Sequence, residues 1–158
     1  MSLHWNVISD RALVIVEATG AVRRRDIEDY LAATILQGVK SYKKLIVLMR
    51  GVLTLSPEDL DIIAKELVRY GEGEAPGPVA IVVGGRLNLD MAMLLKQRVG
   101  SRPFRIFVIM DAALEWLAFF DKDVALEESV PAGGKPQGGG WRSYLAQRAL
   151  LASSVNRP

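Results

Sequence analysis

In the stretch VLTLSPEDLDII at residues 52–63, Ser56 stands where an apolar run gives way to an amphipathic one. With Pro57, Glu58 and Asp59 behind it and Thr54 before it, its hydroxyl is open to two kinds of chemistry. A phosphoryl group accepted there would bring a charge of about −2 and three acceptor oxygens to the start of a helix. The same residue types also make a helix N-terminus: a serine oxygen accepts a backbone N–H, proline fits the first helical position, and an acid sits in the first turn. Such a cap contributes on the order of 1 kcal/mol. Capping is the preferred reading, and the turn Thr54, Ser56, Pro57, Glu58, Asp59 is a candidate surface for a partner.

Other reactive constellations are thin. A nucleophilic triad needs a base that titrates near neutrality, and His4 is the one histidine of the chain. There are no cysteines, which removes thiolate nucleophiles, disulfides and cysteine-ligated metals together. Neither a His-x-x-x-His pair nor an Asp-x-Asp-x-Asp-Gly loop occurs. In VVGGRLNLD, a strand-like run, Gly84-Gly85 and a helix start follow in the order that lets backbone N–H groups meet an anion, so Arg86 and Asn88 are candidate anion or ligand contacts. The G-x-G-x-x-G spacing and the G-K-[ST] ending are both missing, which favours a tight turn capped by Asn88. AGGKPQGGG has no strand before it and no hydroxyl after its lysine. The pairs Glu58-Asp59 and Glu127-Glu128 diverge on a helix surface and read as solvated charge. No catalytic group, metal or cofactor is expected, and the chain is read as a non-enzyme.

The composition sets outer limits. The 158 residues, 50% hydrophobic and 24% charged, suit one domain that buries about two thirds of its unfolded surface. The formal charge of +2 is spread over both signs, and Arg23-Arg24-Arg25 is offset by Asp26, Glu28 and Asp29, so no nucleic-acid partner is expected. LIVLM at 45–49 and FVIM at 107–110 fall far short of the roughly 20 residues of a membrane span. The first twenty residues lack the pattern of a signal peptide, and a cytoplasmic location is expected.

The elements that position these residues follow from periodicity. LHWNVI at 3–8 and ALVIVEA at 12–18 form a hairpin across Ser9-Asp10-Arg11. Ile27, Tyr30, Leu31, Thr34, Ile35 and Val39 recur at helical spacing up to Gly38. Lys43-Lys44 lead into LIVLM, a β-rich run without alternation that suits a central strand covered on both faces. Leu60, Ile63, Ala64 and Leu67 stripe a second helix that stops at Gly71 and Gly73, and Val79 to Val83 make another buried strand. A third helix over 88–99, a strand over 104–110 and a fourth helix capped by Asp111, with Ala113, Trp116, Leu117 and Phe120 on one side, complete the order ββαβαβα.

This order predicts an α/β domain with a mixed, mainly parallel sheet and helices packed over it. The domain is expected over residues 1–122, a Gly/Pro-rich linker over 123–140, and a short helical or disordered tail over 141–158. WRSYLAQRALL at 141–151 is too small to fold alone, so it is expected to dock on its own domain, on a second copy as a homodimer, or on another protein.

The ββαβαβα order and LIVLMRGVLTLSPEDLDIIAKEL at 45–67 resemble the anti-sigma-factor-antagonist (STAS) family, with its SpoIIAA-like and Sec14-like bacterial relatives. The resemblance covers about residues 3–120. It implies a SpoIIAA-like fold and a regulatory, protein-binding role in which the turn after Gly51-Val52 is the recognition surface. The family pattern has an aspartate ending the strand and Asp-Ser-Ser-Gly in the turn, the first serine being phosphorylated. Here Met49 and Arg50 replace the aspartate and Pro57 takes the phosphoacceptor place, so the usual phosphoacceptor serine is lacking. The Sec14-like likeness implies an alternative: a small apolar or lipid-like ligand held between sheet and helices.

Overall fold

In the computed structural model, which describes residues 2–99 and 102–121, five strands and four helices alternate as the periodicity predicts. The strands are β1 (Leu3–Ile8), β2 (Leu13–Val22), β3 (Lys43–Leu53), β4 (Val79–Val83) and β5 (Phe104–Phe107). The helices are α1 (Arg24–Leu36), α2 (Pro57–Tyr70), α3 (Arg86–Arg98) and α4 (Met110–Ala118). The segments read as linker and tail, 123–140 and 141–158, lie outside the described residues.

The sheet order is β1-β2-β3-β4-β5, with β1 antiparallel to β2 and every later pairing parallel. Each crossover from β2 onward moves the chain in the same direction across the sheet. Right-handed connections therefore put α1, α2 and α3 on one face. Tyr30, Leu60, Ile63, Ala92 and Leu95 from those helices share a core with Val14, Val16, Leu48, Val79, Ile81 and Val83. The alternate β4 residues Ala80 and Val82 are equally buried, under α4, which brings Ala113, Leu114 and Leu117 to the opposite face. All five residues of β4 are thus buried, and β3 is central as LIVLM suggested.

Several boundaries differ from the sequence expectation. β3 runs on through Arg50-Gly51-Val52-Leu53 instead of stopping at Met49. Its pairing with β2 shifts register between Glu17 and Thr19, and at that bulge a Cβ on Gly51 would meet the Ala18 Cβ at 2.6 Å, so only glycine fits. β5 ends at Phe107: Val108 and Ile109 leave the sheet, and Ile109 is the N-cap of α4. Asp111 lies within the first turn of α4 and is not its cap. Likewise α3 begins at Arg86, and its N-cap is Gly85 at φ +83°, which replaces the cap expected from Asn88.

Candidate functional site

Two regions gather the polar chemistry of the domain, at opposite ends of the parallel strands. The first is the β3–α2 turn. Ser56 has an extended backbone, its Oγ accepts the Asp59 N–H at 3.0 Å, and Asp59 Oδ2 accepts the Ser56 N–H at 3.0 Å. This reciprocal capping box, with Pro57 at the first helical position, answers the question raised by the sequence: the hydroxyl closes a helix end. Hydrogen bonding from the Ser56 backbone, then from its hydroxyl, and the nearby Arg24 guanidinium hold the Asp59 carboxyl below its usual range against the opposing effect of desolvation. Arg24 Nη1 reaches Asp59 Oδ1 at 3.4 Å and Arg24 Nε reaches Glu28 at 3.4 Å, tying the turn to α1. The Thr54 N–H donates to the Val22 carbonyl at 2.8 Å. Thr54, Ser56, Pro57 and Glu58 face solvent while Leu55 is buried between them.

The same end of the sheet carries apolar side chains that the fold leaves uncovered. Met49 and Val52 from β3, Leu87 at the start of α3, and Val108 and Ile109 after β5 are all exposed, the last two at 64% and 60%. They lie in or just after the carboxyl-terminal parts of parallel strands, where neighbouring crossovers converge. Arg86 is also exposed here. Asn88 is not: it is 4% exposed, and its Nδ2 donates to the carbonyls of Gly51 at 2.7 Å, Leu48 at 3.1 Å and Gly84 at 3.3 Å. Its Oδ1 accepts the Leu53 N–H at 3.0 Å. Asn88 ties α3 to the far end of β3, and both of its N–H donors are engaged by main chain.

The second region lies between the sheet and α1–α3. A cavity of about 100 Å³ is walled by apolar side chains that include Leu31, Ile46, Leu48, Ile63 and Ile81. Four polar residues also line it: Tyr30, Lys44, Tyr70 and Arg102. Register places this polar group at the amino-terminal ends of the strands, since Lys44 pairs with Val79 and Val79 with Phe104, two residues after Arg102. Lys44 is 2% exposed and donates to the carbonyls of Val39, at 2.9 Å, and Lys40. Burial, with positive charge from Arg102 and Lys40, pulls its amine down to about 7, while Glu74 acts in the opposite direction.

Arg102 Nε donates to the Gly77 carbonyl at 3.0 Å, and the guanidinium sits 5.5 Å from the Tyr70 ring centroid. Gly77 permits this arrangement, because a Cβ there would meet the Tyr42 carbonyl oxygen at 2.1 Å. The Tyr70 hydroxyl bonds Thr34 Oγ1 at 2.9 Å, and Thr34 in turn donates to the Leu31 carbonyl. Tyr30 differs: the residue is 6% exposed and its hydroxyl makes no hydrogen bond among the described residues. Burial pushes both phenols up.

Sequence reading missed this polar group. In the sequence Lys43-Lys44 merely lead into LIVLM, and Arg102 falls in the Gly100-Ser101-Arg102-Pro103 stretch that closes the third helix. One signal was available for Lys44: a strand beginning at residue 43 puts it in phase with Ile46 and Leu48, on the inward face.

Among solved structures, the chain is similar to a protein of the DUF3478 family with a SpoIIAA-like fold from Shewanella loihica PV-4. The identity is 23%, the match covers 73% of this chain and 91% of that one, and the TM-score is 0.51. It also matches the anti-sigma factor antagonist SpoIIAA in its unphosphorylated form, at 13% identity, 73% and 97% coverage and TM-score 0.48. No protein-family model and no curated protein matches. The class is therefore one of architecture: a mixed α/β domain with a mostly parallel five-stranded sheet. More particularly, the chain has the SpoIIAA-like fold that its strand order resembled. No helix among the described residues is long and apolar enough to cross a membrane. Nor do those residues contain a group of three or more His, Cys, Asp or Glu that could hold a metal.

Proposed function

We propose that this domain is a non-enzymatic interaction module that presents the carboxyl end of its strands to a protein partner. The observation that carries this reading is the uncovered apolar set Met49, Val52, Leu87, Val108 and Ile109 at the end that also bears the β3–α2 turn. Apolar side chains clustered at one end and rimmed by Glu58, Arg86 and Thr54 have the composition of a docking face. The turn itself is prebuilt by the Ser56–Asp59 capping box, so a partner would meet an ordered surface. Pro57 at the phosphoacceptor place argues for recognition without phosphorylation at that residue. Capture of partners from the source cell on wild-type protein, Ile109→Glu and Glu58→Arg tests the reading. Loss of a specific band with both variants is expected, and unchanged capture would count against it.

A second reading has its own observation. The cavity between the sheet and α1–α3 supports the binding of a small, largely apolar ligand. At about 100 Å³ it suits a molecule far smaller than a membrane lipid, since ligand sites for drug-sized molecules run from about 300 Å³.

A further inference from the structure

An apolar cavity needs no charged side chain, yet this one collects two cations and an unpartnered hydroxyl at one end. Lys44 and Arg102 take part in no ion pair among the described residues. Glu74 is exposed, and it is the acid whose field reaches Lys44. Tyr30 lies within electrostatic range of Arg102 and Tyr70, which line the same cavity. A buried hydroxyl with no hydrogen bond among the described residues, beside a guanidinium with no ion-pair partner among them, is costly, and an acceptor-rich anion would remove both costs at once.

We propose that the cavity binds a short carboxylate of about two to four carbons, its head facing Arg102, Lys44 and Tyr30. The size follows from volume: a dry cavity of about 150 Å³ accommodates the six heavy atoms of benzene, so about 100 Å³ limits the ligand to about four to six heavy atoms, head included. The orientation follows from register. The cations sit at the amino-terminal ends of β3–β5, and Ile46, Ile81 and Leu48 line the space beyond them toward the carboxyl ends. Arginine is suited to the head because its fork matches two carboxylate oxygens, and here Nε is already anchored to Gly77, which fixes the plane of the group. The Tyr30 hydroxyl supplies a neutral donor at the same end, and burial keeps it protonated. The inference rests on the second reading above and assigns that ligand its charge and length.

The test is calorimetry on the full chain with propanoate, propan-1-ol and hexanoate, together with backbone amide shifts of residues lining the cavity. Propanoate is expected to bind about tenfold more tightly than propan-1-ol, the difference made by charge-assisted hydrogen bonds. Arg102→Gln should abolish that preference while propan-1-ol affinity is unchanged. Tyr30→Phe, which removes no hydrogen bond seen among the described residues and so should fold normally, should weaken propanoate severalfold. Equal affinity for the acid and the alcohol would overturn the carboxylate assignment and leave the apolar-ligand reading standing. Tighter binding of hexanoate than of propanoate would overturn the assigned length. If neither three-carbon probe binds, both the inference and the reading beneath it fail.

Discussion

The two ends of the parallel sheet treat polar groups in opposite ways. At the carboxyl end the groups of the β3–α2 turn satisfy one another locally: Ser56 and Asp59 each bond the other's backbone N–H through the side chain, Arg24 adds charge from α1, and apolar Met49, Val52, Leu87, Val108 and Ile109 stay exposed nearby. At the amino end Lys44 and Tyr30 are drawn into the core, one held by two carbonyls and the other by none. The contrast teaches that one fold can satisfy polar groups locally at one end of its sheet and bury them with fewer partners at the other.

The sharpest way to break this comparison is at Asn88, which is buried and braces the carboxyl end. Asn88→Ala would strand the Leu53 N–H and the Gly51 carbonyl without partners, at a cost of about 3 kcal/mol in urea denaturation. Stability within about 0.5 kcal/mol of wild type would show that β3 holds its end without this brace.

Lys44 sharpens the other end through pH. In the folded chain its amine loses its proton near pH 7, whereas the unfolded chain keeps it until about 10.5. Between those limits unfolding takes up a proton, so stability rises with pH, by at most about 1.4 kcal/mol per unit. Below pH 7 both states are protonated and this dependence flattens. Denaturation curves from pH 6 to 9 should show the slope in wild type and lose it in Lys44→Met; an identical slope in both would place its origin elsewhere.

The smallest effect belongs to the turn. Ser56→Ala should lower stability by about 1 kcal/mol, because the Asp59 N–H loses its acceptor. Stoichiometric phosphate on Ser56 in natively expressed protein would instead make the cap a switch and erase the distinction drawn between the ends.

Much of this was legible in the sequence where one signal dominated. Ser56-Pro57-Glu58-Asp59 is a local motif, and local motifs need only their own neighbours to form. The β4 run Val79–Val83 and the α2 stripe through Leu60 and Ile63 were equally clear, because burial on two faces or one leaves an unmistakable pattern. Boundaries were harder at Val108 and Ile109: their residue types suit a strand, but the pairing of β5 with β4 stops at Val82–Phe107, one residue before β4 ends. Asn88 read as a cap from its neighbours, and its actual bonds reach residues about forty positions away. The polar end of the cavity was hidden for the same reason. Tyr30, Lys44 and Arg102 come from three separate segments, and only the sheet register brings them together.

Finally, strand order in the sheet repeats strand order along the chain. Each new strand can be laid beside the one just completed, so a nascent polypeptide can assemble its sheet by accretion from the N-terminus, with no strand left waiting for an interior slot. The cavity is closed late in that sequence, since Arg102 and Phe104 arrive with the last strand. A chain released before residue 102 would carry the β3–α2 turn but lack two residues of the cavity wall, Arg102 and Phe104.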